Sequence, residues 1–180
     1  MAGAPHIRTN TMTTTKTLFA AAIAGLFLAF SPLAGFAHNG TIHHGDIDIS
    51  GQWTRATPPG AKAGGAYITI TNNGDTADRL IGGTTEAAEA LEVHSMSMQD
   101  GVMKMEELPE GLTIEPGETV TLEPGGLHLM MIGLDAPLVA DEKITVTLTF
   151  EKAGEVTLDI PVGPLGSTEA PMMHEGHDGH

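Results

Sequence analysis

Cysteine is absent from all 180 residues. No disulfide can brace the fold, which therefore relies on its core. Thiol redox chemistry is excluded, as is a blue-copper electron-transfer centre, which needs a cysteine thiolate. Basic residues are scarce: eight Lys and Arg stand against 23 Asp and Glu, for a formal net charge of −15. Phosphate backbones are gripped by basic patches, so nucleic acid is excluded as a partner. The acids are dispersed and form no pair of recognisable catalytic spacing. There is no nucleophile–base constellation and no glycine-rich phosphate loop, so the chain does not read as an enzyme.

Long hydrophobic runs are missing too. The longest, Leu18 to Phe30, is short for a membrane span. It lies in a 37-residue stretch without Asp or Glu and is followed by small residues ending at Gly35-Phe36-Ala37. That is the pattern of a cleavable signal peptide over 1–37, with Met12 as an alternative start. Cleavage would remove Arg8 and Lys16 and leave 23 acidic against six basic residues, with no stable membrane span. Residues 38–46 follow as a polar, His-containing leader. If cleavage follows Ala37, His38 offers an α-amine beside its imidazole, a chelate suited to Cu(II).

From residue 47 the text changes to short alternating runs between turn residues. Ala66-Tyr-Ile-Thr-Ile-Thr71 and Ile144-Thr-Val-Thr-Leu-Thr-Phe150 are apolar on one face and polar on the other, the period-two signature of half-buried strands. Asn72-Asn-Gly-Asp75, Pro116-Gly117 and Pro124-Gly-Gly126 punctuate them. One helical turn is expected at Glu86–Ala90. Strands at this spacing, with Gly/Pro turns throughout, predict an all-β Greek-key barrel or sandwich over 47–162. Gly163 to Pro171 is a linker by composition, and disordered extensions are expected at both ends.

What the chain does have is histidine and methionine in three groups. After residue 37 they fall only in the leader, in a central stretch from His94 to Met131, and in a tail, Met172-Met173-His174-Glu-Gly-His177-Asp-Gly-His180. The central stretch opens His94-Ser-Met96-Ser-Met98-Gln-Asp100-Gly101-Val-Met103-Lys-Met105. Asp-Gly tolerates the positive φ angles of a two-residue type I′ turn. A hairpin closed there sets Met98 opposite Met103 and Met96 opposite Met105, with His94 one diagonal step away. One face then carries an imidazole and four thioethers, while Leu91 and Val93 turn to the core. His128 and Met130, two apart, share a face of a later strand.

Thioether and imidazole suit Cu(I), whereas Mg²⁺ and Ca²⁺ require oxygen. The ordinary uses of methionine are flexible core filling and adaptable partner surfaces. Core filling does not suit Met98 and Met103, which flank a polar turn and alternate with Ser and Lys. The tail, with His at every third position and Gly between, reads as a flexible chelator preferring Cu(II), Zn²⁺ or Ni²⁺.

These residues carry a family resemblance. His94, ten residues, Met105, then a gap one residue longer than the usual pattern and His128-Leu-Met130 resemble the signature of the PCuAC family of periplasmic Cu(I) chaperones. Trp53-Thr-Arg-Ala-Thr-Pro-Pro-Gly60, Asp100-Gly-Val-Met-Lys-Met105 and Pro124-Gly-Gly-Leu-His-Leu-Met-Met131 are similar as well. The resemblance spans Ile47 to Val162. It implies a cupredoxin-like barrel with an accessible Cu(I) site formed by His94, Met105, His128 and Met130, with Met96 as an adjacent ligand. It implies a periplasmic location, and a second, Cu(II) site in the tail. It further implies delivery to the apo CuA domain of cytochrome c oxidase alongside a Sco-type protein. Readings that share the sites without that role are a copper buffer or resistance protein and a copper redox enzyme.

Overall fold

The computed structural model describes residues 40–171. Eleven strands run through them: β1 (Ile42–His44), β2 (Ile47–Arg55), β3 (Ala63–Asn72), β4 (Asp78–Thr85), β5 (Ala88–Gln99), β6 (Val102–Glu107), β7 (Leu112–Ile114), β8 (Thr119–Leu122), β9 (His128–Leu134), β10 (Lys143–Phe150) and β11 (Gly154–Gly163). No helix occurs among the described residues, and none is long and apolar enough to cross a membrane. Seven strands pair in the order β2-β11-β10-β4-β5-β9-β3, and β3 pairs back to β2 to close a barrel. Closure leaves the seven ring strands without the two terminal edges of an open sheet. The remaining four, β1, β6, β7 and β8, each pair with one strand of the ring.

Alternation decides what fills the barrel. Along β10, Val146, Leu148 and Phe150 point inward and are at most 2% exposed. The outward Thr147 shares a 2.9 Å hydroxyl bond with Thr157 across the pair, and Thr145 donates to Asp159 at 3.0 Å. Ile47, Ile49, Ile68, Ile70, Leu91, Val93, Leu129 and Met131 complete the interior from the other walls. Two buried polar side chains tie loops to this core. The Asp78 carboxylate accepts from the backbone N–H of Arg79, Lys152 and Ala153 at 2.7–2.9 Å, which fixes the β10–β11 turn. The Asn72 amide donates to the carbonyls of Thr76 and Ile114. Gly83 is required by close approach: a Cβ there would lie 2.3 Å from the Thr147 carbonyl oxygen.

The structure corrects one local expectation. Residues 86–90 make no helical turn; β5 already begins at Ala88, where Ala88 and Ala90 pair with Leu134 and Ile132 of β9. Good helix formers here are overridden by a strand ladder to a distant segment. Residues 42–44, within the polar leader, form β1 against β2, and His43 Nδ1 lies 2.6 Å from Asp48 Oδ1. That bond is the main reason the Asp48 carboxyl titrates below its ordinary value. The linker beyond Gly163 folds back on the barrel: Arg55 Nη1 donates to the Ser167 carbonyl at 3.2 Å, and Ala56 N–H donates to Gly163 O at 2.8 Å.

Candidate metal centre

The barrel wall β5–β9–β3 buries one face and offers the other. Leu91, Val93, Leu129 and Met131 point in; by alternation Glu92, His94, Met96, His128 and Met130 point out. The antiparallel register sets His94 opposite His128 and Glu92 opposite Met130. On the far side of β5, Met96 stands opposite Met105 and Met98 opposite Met103, so the hairpin register is the one the Asp-Gly turn dictates. Asp100 and Gly101 carry φ of 52° and 79°, as that turn requires.

Met96, Met105, His128 and Met130 line one cleft of about 440 Å³. Its other walls are Arg55 to Pro58, Ala63 to Gly65, Tyr67, and the folded-back Leu165 and Gly166. Gly65, paired with Met130, leaves room that the Tyr67 ring takes; a Cβ at 65 would sit 2.8 Å from the phenol oxygen. Tyr67 is buried against Trp53, with ring centroids 4.6 Å apart, and Arg55 lies 5.7 Å above its ring. Burial raises the Tyr67 phenol above its ordinary value, with Arg55 partly opposing. The ring therefore stays neutral at physiological pH and offers no phenolate ligand.

The histidines are the most constrained members. His94 and His128 are 9% and 6% exposed, with ring centroids 5.9 Å apart. His94 Nε2 donates to the Glu92 carboxylate at 2.8 Å, which leaves Nδ1 with the lone pair. That Nδ1 is buried and has no hydrogen-bond partner. His128 Nδ1 donates to the Gly126 carbonyl at 3.1 Å, leaving Nε2 with its lone pair. The same carbonyl accepts from Met96 N–H at 3.1 Å, so one backbone oxygen positions two of the clustered residues. A carboxylate or carbonyl on one ring nitrogen is the usual device for orienting an imidazole toward a metal. An orphaned buried acceptor costs about 1–3 kcal/mol, and a bound cation would satisfy it.

Donor chemistry narrows the ion. Among the described residues no group of three or more His, Cys, Asp or Glu is placed to hold a metal. Two imidazoles and three thioethers suit a soft monovalent ion and not an oxygen-seeking one. The structure thus brings Met96, Met105, His128 and Met130 into one cleft with His94 beside His128. Glu92 and the Gly126 carbonyl escaped the sequence reading. Glu92 carried a usable signal, since it lies two residues from His94 on the same strand face; a backbone carbonyl carries none. His38, Met172, Met173, His174, His177 and His180 lie outside the described residues.

Comparison with known proteins bears on the same region. The pattern of the family described as lipoprotein LpqE-like matches residues 47–162. A lipoprotein of Leifsonia xyli subsp. xyli (strain CTCB07) is 35% identical over 116 residues, covering 64% of this chain and 69% of that protein. The copper-bound PCuAC domain from PmoF2 is similar at 29% identity and a TM-score of 0.59, over 69% of this chain and 98% of that one. The Cu(I)-bound solution structure of DR1885 from Deinococcus radiodurans is similar at 30% identity and a TM-score of 0.51, over 73% and 86%.

Proposed function

The chain belongs to the LpqE-like, PCuAC-type family, and from that membership and the cleft's donor set we propose that it is a copper chaperone. Cu(I) is its cargo, held by His94, Met105, His128 and Met130, with Met96 adjacent. The observation that carries this reading is the pair of buried imidazoles. Each has one nitrogen tied down and the other left with a lone pair, the His94 Nδ1 being without any partner, beside a cleft lined by thioethers. Copper-bound relatives of the same fold support the choice of metal.

The role is transfer, not catalysis. All four ligands are neutral, so the bound ion keeps a charge near +1, and the thioethers need no deprotonation to bind. An open cleft lets an acceptor's ligands approach while the chaperone's still hold the ion, so handover proceeds by ligand exchange in a shared complex. The family role supports export to the periplasm and delivery to the apo CuA domain of cytochrome c oxidase, with a Sco-type partner. The His/Met tail collects Cu(II) in this reading.

Anaerobic Cu(I) titration against a chromophoric competitor tests the core claim. The full chain is expected to hold one tight equivalent that is lost in His128→Ala and in Met105→Ala. Retention of that equivalent in both variants would overturn the site. Transfer to an apo CuA domain separates a chaperone from a buffer, which would bind equally well and not deliver.

A further inference from the structure

Beyond Met96 the β5–β6 hairpin leaves the barrel. β5 pairs with β9 only as far as His94 opposite His128, and Met96 N–H reaches the Gly126 carbonyl; past that point β6 is its sole partner. Every residue of β6 is exposed. Both faces of such a ribbon meet water, and polar side chains are expected on each. One face obeys except at its tip, where Val102 stands exposed opposite Gln99: Ser97, Gln99 and Lys104 bond to one another, with Lys104 Nζ donating to Gln99 Oε1 at 2.9 Å and Gln99 Nε2 to Ser97 Oγ at 3.3 Å. The other face carries Met98 opposite Met103 at the tip, 65% and 46% exposed, one rung beyond Met96 opposite Met105.

Exposed thioethers invite sulfoxide formation and gain little by burial, so packing does not account for this pair. A β-branched or aromatic residue would serve a ribbon better. Directly opposed residues have Cβ atoms about 4.5–5.5 Å apart, and methionine's three side-chain torsions let both sulfurs turn onto one ion. Successive rungs lie about 7 Å apart at the strand rise.

We propose that Met98 and Met103 form a second, outer Cu(I) site, a landing step between solvent or partner and the inner site. This rests on the chaperone reading above and adds its route. Copper arrives on two thioethers at the tip. A bond to Met96 or Met105 forms as one to Met98 or Met103 breaks, and the histidines complete capture. Each exchange replaces one neutral thioether by another, so no electron or proton moves. Two thioethers alone hold Cu(I) more weakly than the inner set, so the outer site fills second and empties first.

The test is NMR of the full chain with methionine ε-methyls labelled in ¹³C, titrated anaerobically with Cu(I). The first equivalent is expected to shift Met105 and Met130, and the second to shift Met98 and Met103. In Met98→Leu/Met103→Leu, which keeps size and hydrophobicity, the first equivalent should bind unchanged and the second at the tip should be lost. A second equivalent that moves Met172 and Met173 while Met98 and Met103 stay still would overturn the outer site. Failure of the first equivalent to shift Met105 and Met130 would instead sink the chaperone reading, and the tip signals would report separately.

Discussion

Glu92 should control how tightly copper is held without touching it. Its carboxylate accepts from His94 Nε2 at 2.8 Å, and the two side chains are 31% and 11% exposed. The bond does two things: it selects the tautomer with the lone pair on Nδ1, and it places a negative charge behind the ring proposed as a copper ligand. Removing an outer partner of this kind costs about tenfold to a hundredfold in metal affinity, or about 1.4–2.8 kcal/mol. A hydrogen bond to a charged group contributes about 1.5–3 kcal/mol independently, and the partial exposure of Glu92 places the effect toward the lower end. Glu92→Gln keeps an acceptor oxygen and loses the charge, so about tenfold is expected. Glu92→Ala loses both and should fall further, toward a hundredfold. The assay is anaerobic Cu(I) competition, with urea unfolding of each variant as a control. Losing the acceptor strands the N–H of the buried His94, so the unfolding free energy should fall by about 1–3 kcal/mol, and affinities are compared where each variant is still folded. An unchanged Cu(I) affinity in Glu92→Ala, alongside loss in His94→Ala, would refute the reasoning.

Neighbours on one strand should part company. Met131 is fully buried, so Met131→Ala should destabilise by about 2–5 kcal/mol in urea unfolding while the folded protein still binds copper; Met130→Ala should do the reverse. Gly83→Ala would drive a Cβ to 2.3 Å from the Thr147 carbonyl, and the β4–β10 pairing must shift to admit it. A loss of about 1–3 kcal/mol is expected, measured by the same unfolding curves. At low pH the β1–β2 hairpin should weaken. Asp48 is held below its ordinary 3.8, chiefly by its bond to His43. Its contribution is therefore present above 3.8 and lost as pH falls through the lower folded value. Carboxyl ¹³C titration should show the depressed midpoint, and His43→Ala should return it toward 3.8.

The sequence made local pairings legible and distant ones opaque. Asp100-Gly101 dictates a two-residue turn, and a turn fixes register, so the pairing of Met96 with Met105 follows from the letters alone. The alternation in Ile144–Phe150 likewise declares an inward and an outward face, as found in β10. His94 opposite His128 does not follow from any such rule. It depends on β5 and β9 meeting across 33 intervening residues, which the family pattern implied and no local period could. The misread turn at 86–90 has the same origin, since Ala and Glu favour a helix until a partner strand offers a ladder. The linker beyond 163 was polar and Pro/Gly-rich, and composition cannot say that such a segment folds back to wall a cleft.

In the proposed site the donor set is divided between two kinds of support, which would let one site both grip and let go. His94, His128 and Met130 stand on strands of the closed barrel over a packed core; Met130 is paired on both sides, by Glu92 and Gly65, while His94 and His128 pair with each other at the end of the β5–β9 ladder. Met105 stands on β6, which pairs with β5 alone and buries nothing. A two-stranded ribbon is marginally stable by itself, so displacing Met105 costs far less than displacing a barrel ligand. An acceptor that offers its own thioether or imidazole therefore competes first against the ribbon. The barrel would then keep a remnant of the three proposed ligands His94, His128 and Met130, from which copper could leave without the fold opening. The same asymmetry would protect selectivity, because both imidazoles of the proposed set stand on the barrel and only a thioether stands on the ribbon.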